Sequence, residues 1–230
     1  MFCLNRKHVL TICEGLIDLG LGDRLNMWAY ARVDTVKDEQ MLDRMRRAGF
    51  RWLGIGIESA SAHVRDGVEK GRFGNAEIVA AVRRVEAHGL HVAANYIFGL
   101  PDDTRESCAA TLALALELDT AMANFYCAMA YPGSALHREA REKGWHLPED
   151  PGGPGWLGYS QHAACSRPLA TATLSSEDLL DIRDEAGLAY FGRPEFAAAT
   201  RGRFGDRAAA EVARMVSYGK PCRNHRKNQP

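Results

Sequence analysis

Apolar and polar residues alternate along the first 143 residues with two periods, one typical of helices and one typical of strands. The helical period predicts helices over Arg6–Gly20, Asp38–Ala48, Asn75–His88, Thr104–Leu118 and Ser134–Lys143. The short apolar runs between them predict strands over Leu25–Val33, Trp52–Ile57, His91–Phe98 and Thr120–Ala130. Strands that alternate with helices pair in parallel through helical crossovers. The pattern therefore predicts an α/β fold, and periodicity alone leaves open a barrel or an open doubly wound sheet.

The pattern changes after residue 147. Residues 148–160 are rich in proline and glycine, which is typical of a linker or an irregular loop. A helix is predicted over Leu179–Tyr190, with Ser175 or Ser176 as its N-cap, and shorter helices follow up to Tyr218. We therefore predict two domains, an α/β part over residues 1–147 and a linker with a helical extension over 148–230.

Composition narrows the class of protein. Hydrophobic residues make up 46% of the chain, charged residues 25%, and the formal net charge is +0. These values are ordinary for a soluble globular protein, and no excess of positive charge points to nucleic acid. No apolar stretch is long enough to span a bilayer, and the first residues do not resemble a signal peptide, so we expect a cytoplasmic chain.

The six cysteines lie far apart in the sequence. They are Cys3, Cys13, Cys108, Cys127, Cys165 and Cys222. No two of them have the CxxC or CxxxC spacing of metal ligands, so the sequence predicts reduced thiols and no metal site in this chain.

The most informative residues fall where predicted strands end, because ligands of parallel α/β folds bind at the carboxyl ends of the strands. Gly54–Ser59 (GIGIES) places two glycines, among them Gly56, just before Glu58. Glycine lets a ligand approach the backbone, and a carboxylate accepts hydrogen bonds from an amine or a ribose. The alternative is structural, with Glu58 capping the next helix or pairing with a lysine.

Arg32 and Asn95 are polar residues near the ends of two other strands. A guanidinium at the position of Arg32 can bind a carboxylate through two hydrogen bonds, or it can pair with Asp34 or Asp38. Asn95 and Tyr96 point to opposite faces of their strand, so one of them faces the interior of a barrel.

Two turns follow the last two predicted strands. Gly99-Leu100-Pro101 forces a defined turn, with Asp102, Asp103 or Thr104 as the cap of the next helix. Tyr131-Pro132-Gly133 is a tight turn whose aromatic ring could stack on an adenine. Both turns also have a purely structural interpretation.

Taken in order, these strand ends resemble the radical S-adenosylmethionine (radical SAM) enzymes. The segments that carry the resemblance are FCLNRKHV, WAYARVDTV, MLDRMRRAGFRWLGIGIESAS, ANYIFGLPDDTRES and AYPGSAL, and WLGYSQ and LSSEDLLDIRDEAGLAYFGRPEF resemble the helical tail of the same group. The similarity is greatest to the class that often carries a cobalamin-binding domain, and within it to the anaerobic magnesium-protoporphyrin monomethyl ester cyclases.

The resemblance implies a partial (β/α)6 TIM-like barrel that binds S-adenosylmethionine across its strand ends. Arg32, Gly56, Glu58 and Asn95 would then lie at the cofactor, with Arg32 and Glu58 at its polar end. Gly99 would shape the cofactor wall, and Tyr131 and Pro132 would face the adenine or the substrate. In the family a [4Fe–4S] cluster reduces S-adenosylmethionine to a radical that abstracts hydrogen from a small-molecule substrate.

The chain departs from the family in one respect, because the CxxxCxxC motif that holds the cluster is absent. Met1 coincides with the end of the family's second strand, so we expect a barrel that lacks its first strands. Two interpretations follow. Either the chain is a fragment of a radical SAM enzyme whose cluster cysteines lie upstream or in a split partner chain, or it is a cluster-less, non-catalytic module that binds a nucleotide or a partner. An unrelated doubly wound protein is a third possibility, but no nucleotide fingerprint follows the first strand.

Overall fold

The computed structural model describes residues 2–66 and 73–220, so Met1 and Cys222 lie outside it. Its centre is a four-stranded parallel sheet with the strand order β1-β2-β3-β4. The strands are β1 (Met27–Arg32), β2 (Phe50–Glu58), β3 (His91–Phe98) and β4 (Met122–Cys127). Since neighbours in the sheet are also neighbours in sequence, each connection is a simple crossover. The predicted α/β class is confirmed.

Helices connect the strands and form the C-terminal extension. They are α1 (Arg6–Asp18), α2 (Glu39–Arg47), α3 (Ala62–Asp66), α4 (Asn75–Ala87), α5 (Arg105–Leu118), α6 (Ala135–Glu142), α7 (Ser176–Phe191) and α8 (Pro194–Ser217). Short 3-10 helices cover Phe2–Leu4, Val33–Thr35 and Gly155–Tyr159. No helix of the described residues is both long and apolar enough to cross a membrane.

The chain divides into two compact units. The first unit contains Met1–Tyr96 and Ala110–Asn124, and the second contains Ile97–Ala109 and Phe125–Pro230. The domain boundary that the sequence predicts at residue 147 stays a prediction.

One face of the sheet supplies the core of the first unit. Ala29, Leu53 and Val92 are in register on adjacent strands, and all are buried. The apolar faces of α2 and α4 are buried too, through residues such as Met45 and Val82. Burial of these apolar surfaces is the main stabilising term of the unit.

Aromatic rings form much of the core of the second unit. The Phe98 and Phe125 rings stack with centroids 5.9 Å apart, and Tyr190 meets Phe125 edge to face at 5.8 Å. Phe196 at the start of α8 completes the cluster against Tyr190 at 5.2 Å. Aromatic pairs at these separations add stability beyond the area they bury. The cluster fixes the helical extension to the strand ends within its own unit.

The structure corrects three details of the sequence prediction. Asn75, which starts the predicted helix and is a residue type that often caps one, is not the N-cap of α4; Gly74 is, and the Asn75 side chain accepts a hydrogen bond from Arg65. Strand β4 is shorter than predicted and ends at Cys127. The last two predicted helices form one element, α8, with a break at Gly205, where φ is 85° and only glycine is unstrained.

We expect Leu53→Ala to lower the free energy of unfolding by about 2–5 kcal/mol, because it opens a cavity in the packed face of the sheet. The matched control is Leu19→Ala, at a side chain that is 72% exposed, where the change should stay within about 0.5 kcal/mol. Urea unfolding of both variants measures the difference. Equal losses in the two variants would contradict the assigned core.

Candidate functional site

Parallel pairing places three of the predicted site residues in one row at the carboxyl ends of the strands. Arg32 of β1 is in register with Gly56 of β2, and Gly56 is in register with Asn95 of β3. Asn124 of β4 extends the row, since its Nδ2 donates a hydrogen bond to Asn95 Oδ1 at 2.9 Å. The row is therefore a continuous polar strip at one edge of the sheet.

This strip lies on the face of the sheet opposite the one that packs in the core. On β1, Trp28 is 44% and Tyr30 58% exposed, whereas Ala29 and Ala31, which alternate with them, are buried. The two rings lean over Gly54 of β2, where a Cβ atom would be 2.9 Å from the Tyr30 ring. On this face of β1, the aromatic residues Trp28 and Tyr30 therefore precede Arg32, which belongs to the polar row.

Glu58 has an unusual backbone conformation. Its φ is 67°, in the left-handed region that residues with a Cβ seldom adopt. Its side chain folds back over the sheet, so that a Cβ atom at Gly56 would lie 2.5 Å from Glu58 Oε1. The residue is nonetheless only 4% exposed. A strained backbone that holds a buried carboxylate over a glycine is typical of a functional site.

The segment after Glu58 is anchored on both sides. Ser59 Oγ lies 3.2 Å from Thr111 Oγ1 of α5, and the backbone N–H of Ala60 donates to the same oxygen at 3.0 Å. Arg65 donates a further hydrogen bond to the carbonyl of Ser59. These contacts overdetermine the backbone around Glu58 and offset the cost of its conformation.

Arg32 takes the structural alternative that its position allowed. Its guanidinium donates two hydrogen bonds to Asp34, Nε to Oδ1 at 3.0 Å and Nη2 to Oδ2 at 2.8 Å. Asp38 instead caps α2 and pairs with Arg6. Because the Arg32–Asp34 pair is partly exposed, it contributes little to stability, and a ligand carboxylate could take the place of Asp34.

Gly99 begins a turn that is held from within the second unit. The carboxylate of Asp103 accepts hydrogen bonds from the backbone N–H groups of Gly99 and Leu100, at 3.0 and 3.2 Å. Burial raises the pKa of Asp103. Gly99 has a φ of 82°, and a Cβ atom there would lie 2.6 Å from Leu179. The glycine is therefore required by both conformation and space.

Tyr131 and Pro132 form an exposed turn after β4. The ring of Tyr131 is 48% exposed and lies 5.7 Å from the ring of Tyr159, centroid to centroid. Tyr131 also donates a long hydrogen bond of 3.4 Å to the carbonyl oxygen of Tyr159. Tyr159 thus supports an aromatic surface whose outer side is open to a ligand.

A network of hydrogen bonds through Glu149 and His137 holds Tyr159 in place. Glu149 accepts hydrogen bonds from the Tyr159 hydroxyl and from His137 Nε2, the latter at 2.7 Å. Burial acts to raise the pKa of Glu149, but these two hydrogen bonds outweigh it and lower the pKa to about 2. The ionised carboxylate therefore joins α6 to the 3-10 helix of Tyr159.

The described cysteines do not form a cluster site. Burial raises the pKa of the thiols of Cys3 and Cys13 to about 11, and that of Cys108 to about 12, so they are protonated at neutral pH. Within residues 2–66 and 73–220, no three His, Cys, Asp or Glu side chains are grouped where they could hold a metal ion. Iron–sulfur clusters require thiolates, so these residues do not fit a [4Fe–4S] cluster.

The predicted site residues fall into two sets. Arg32, Gly56, Glu58 and Asn95 lie together on the strand ends of the first unit, and Gly99, Tyr131 and Pro132 belong to the second unit. Sequence reasoning missed Asn124, although a polar residue inside an apolar strand is a usable signal. It also missed Glu149 and His137, which have no motif in common.

The arrangement defines an α/β protein with a parallel sheet and a polar row near its strand ends. Comparison with protein families agrees, because residues 13–115 match the model of the Radical SAM superfamily. A protein of Pyrococcus horikoshii named as an uncharacterized methyltransferase is 34% identical over 194 residues, which cover 84% of this chain and 40% of that protein. Residues 13–115 of the chain are therefore similar to the Radical SAM superfamily.

The chain is also similar to a second curated protein and, in fold, to a solved structure. The anaerobic magnesium-protoporphyrin IX monomethyl ester cyclase of Cereibacter sphaeroides is 29% identical over 141 residues, 61% of this chain and 23% of the cyclase. The solved structure of the radical S-adenosylmethionine methyltransferase TsrM from Kitasatospora setae has a TM-score of 0.61 and 16% identity, covering 92% of this chain and 49% of TsrM. The chain thus spans less than half the length of these relatives.

The strain at Glu58 predicts that glycine and alanine substitutions there have the opposite order of stability from the usual one. We expect Glu58→Gly to be more stable than Glu58→Ala by about 1 kcal/mol, because only glycine adopts a positive φ without cost. At Asn95, which lies within β3 near its carboxyl end, the order should reverse, with alanine more stable than glycine by about 0.5–1 kcal/mol. Thermal unfolding of the four variants tests this, and the same order at both positions would contradict the strain.

The Glu149 network predicts a pH dependence of stability. Because the pKa of Glu149 is about 2 in the folded chain against an ordinary 4.5, its stabilisation is complete above about pH 4.5 and is lost as the pH falls towards 2. Glu149→Gln should flatten the loss of stability in this window, as measured by urea midpoints. Glu142→Gln, at an exposed carboxylate, is the matched control and should keep the wild-type slope.

Proposed function

We propose that this chain binds S-adenosylmethionine on the strand ends of its first unit and serves a radical SAM enzyme that methylates or cyclises an organic small molecule. The single observation that carries the proposal is the carboxylate of Glu58, which a strained backbone holds over Gly56. Gly56 is itself in register with Arg32 on one side and Asn95 on the other. Backbone strain that positions a carboxylate is consistent with a ligand that donates hydrogen bonds to it.

The chemistry of S-adenosylmethionine suits this row. The ammonium group and the ribose hydroxyls of the cofactor are donors that a carboxylate such as Glu58 accepts, and its carboxylate is an acceptor for Arg32. Asn95 offers both a donor and an acceptor beside them. Gly56 leaves room over the backbone for the Glu58 carboxylate, which is the group that the ligand would meet there.

Residues of the second unit have their own proposed roles. The exposed ring of Tyr131, with Pro132 beside it, is a surface on which an adenine or a flat substrate can stack. Gly99 lies in a turn fixed by Asp103 and is proposed as part of the cofactor wall. These roles rest on features within the second unit alone.

The iron–sulfur chemistry requires residues beyond those described. In the family, the [4Fe–4S] cluster supplies the electron that cleaves S-adenosylmethionine. Since four of the five described cysteines are buried and none of the five belongs to a group that could hold a metal ion, we propose that another segment or a partner chain provides the cluster ligands. The TsrM structure carries both cobalamin and a [4Fe–4S] cluster, and we propose cobalamin as a further cofactor of the complete enzyme.

The state of the cysteines also favours a second candidate function, a cluster-less module that binds a nucleotide. Anaerobic reconstitution with iron and sulfide separates the two functions. A chain that acquires no iron–sulfur absorption alone, but does so with a protein that carries CxxxCxxC, would be part of a split enzyme. A chain that binds S-adenosylmethionine and supports no cluster in either case would be a module.

Binding of S-adenosylmethionine to the chain tests the site directly. We expect Glu58→Gln to weaken binding about tenfold or more in isothermal titration calorimetry, because a hydrogen bond to a charged group contributes about 1.5–3 kcal/mol. Glu117→Gln, at an exposed carboxylate of the same unit, is the matched control and should bind like the wild type. Wild-type affinity in Glu58→Gln would overturn the proposed site.

A further inference from the structure

A cavity of about 630 Å³ lies within the second unit. Its walls come from the turn after β3, the end of α6 with the residues that follow, and the start of α7. The volume is within the range of sites for small organic ligands. None of Arg32, Gly56, Glu58 and Asn95 lines it.

Two charged side chains of the cavity wall have no partner among the described residues. Arg167 is half-buried, and its guanidinium makes neither a hydrogen bond nor an ion pair in the part of the chain that the structure describes. Glu177, on the first turn of α7, is likewise unpaired within those residues. By contrast, Lys143 of the same wall is neutralised by Glu139 at 2.6 Å.

The absence of an ion pair between these two charged side chains is informative. A half-buried guanidinium normally finds an acceptor, because a charge that loses water without a partner costs free energy. Arg167 and Glu177 line one cavity but form no ion pair with each other. The space between them therefore suits a ligand that carries both a negative and a positive group.

The rest of the wall mixes apolar residues with polar ones, among them Asp102, His146 and Thr171. Leu136 and Leu169 pack in one buried cluster, and the ring of Trp145 lies at the rim, with Lys143 Nζ 4.9 Å from its centroid. An apolar or aromatic group of a ligand can bury surface against these side chains. The cavity thus offers a ligand both charged side chains and apolar surface.

We propose that this cavity binds a free α-amino acid with an apolar side chain. The ligand carboxylate pairs with Arg167, its ammonium group pairs with Glu177, and its side chain packs on Leu169 and Trp145. This site is additional to the proposed cofactor site. Because S-adenosylmethionine is itself an amino-acid derivative and Gly99 also lines the cavity, the experiment must separate the two ligands.

The test is isothermal titration calorimetry of the full chain with L-phenylalanine, and with two analogues that each lack one charge. We expect L-phenylalanine to bind at least tenfold more tightly than 3-phenylpropionate, which lacks the ammonium group, and phenethylamine, which lacks the carboxylate. Arg167→Gln should weaken L-phenylalanine at least tenfold and leave phenethylamine unchanged. The matched control is Arg207→Gln, at an exposed arginine of α8 without a partner among the described residues, and it should have no effect.

The other outcomes overturn the proposal. They are absence of L-phenylalanine binding by a folded wild-type chain, equal affinity for 3-phenylpropionate, or undiminished binding by Arg167→Gln. S-adenosylmethionine provides the separate readout, since its affinity should fall in Glu58→Gln and not in Arg167→Gln. If Arg167→Gln lost S-adenosylmethionine instead, the cavity would be the cofactor site and the amino-acid proposal would be wrong. Near-ultraviolet circular dichroism confirms that each variant is folded.

Discussion

The carboxylate of Glu58 can lie over the sheet only because Gly56, two residues earlier, has no side chain in that space. The two residues depend on each other, since the left-handed conformation of Glu58 is what turns its side chain back towards Gly56. Parallel pairing then sets Arg32 and Asn95 on either side at the same height. A polar row on four strands therefore depends on one glycine and one strained residue, with Ser59 anchored to Thr111 to hold them.

Local chemistry explains the parts of the fold that the sequence made predictable. Ser175 accepts a backbone hydrogen bond at the start of α7, as its position before an apolar-periodic segment predicted, and Ser134 does the same at the start of α6. Strand β3 has the predicted bounds, His91–Phe98, because its run of apolar residues ends at the glycine that turns the chain. In these cases a few neighbouring residues determine the outcome.

Contacts between distant residues explain what was not predictable. Asn95 meets Asn124 across a strand pair, and Glu149 meets His137 across a loop without periodicity. Neither pair has a spacing that sequence reasoning could use. The positive φ of Glu58 was equally hidden, because the residue type gives no sign of it. The sequence resemblance therefore pointed to the strand ends, and only the structure shows how their side chains are held.

The polar row and the chemistry of the cluster are physically separable in this protein. The row is formed within the first unit by strand register, by Gly56 and by the anchored Ser59, and none of these features involves a cysteine. Cys3 and Cys13, which belong to the same unit, are buried and protonated. The polar row that we propose for S-adenosylmethionine is thus formed without any cysteine. In our proposal, cofactor binding depends on this row of side chains, whereas a cluster would depend on thiolates from another segment or chain.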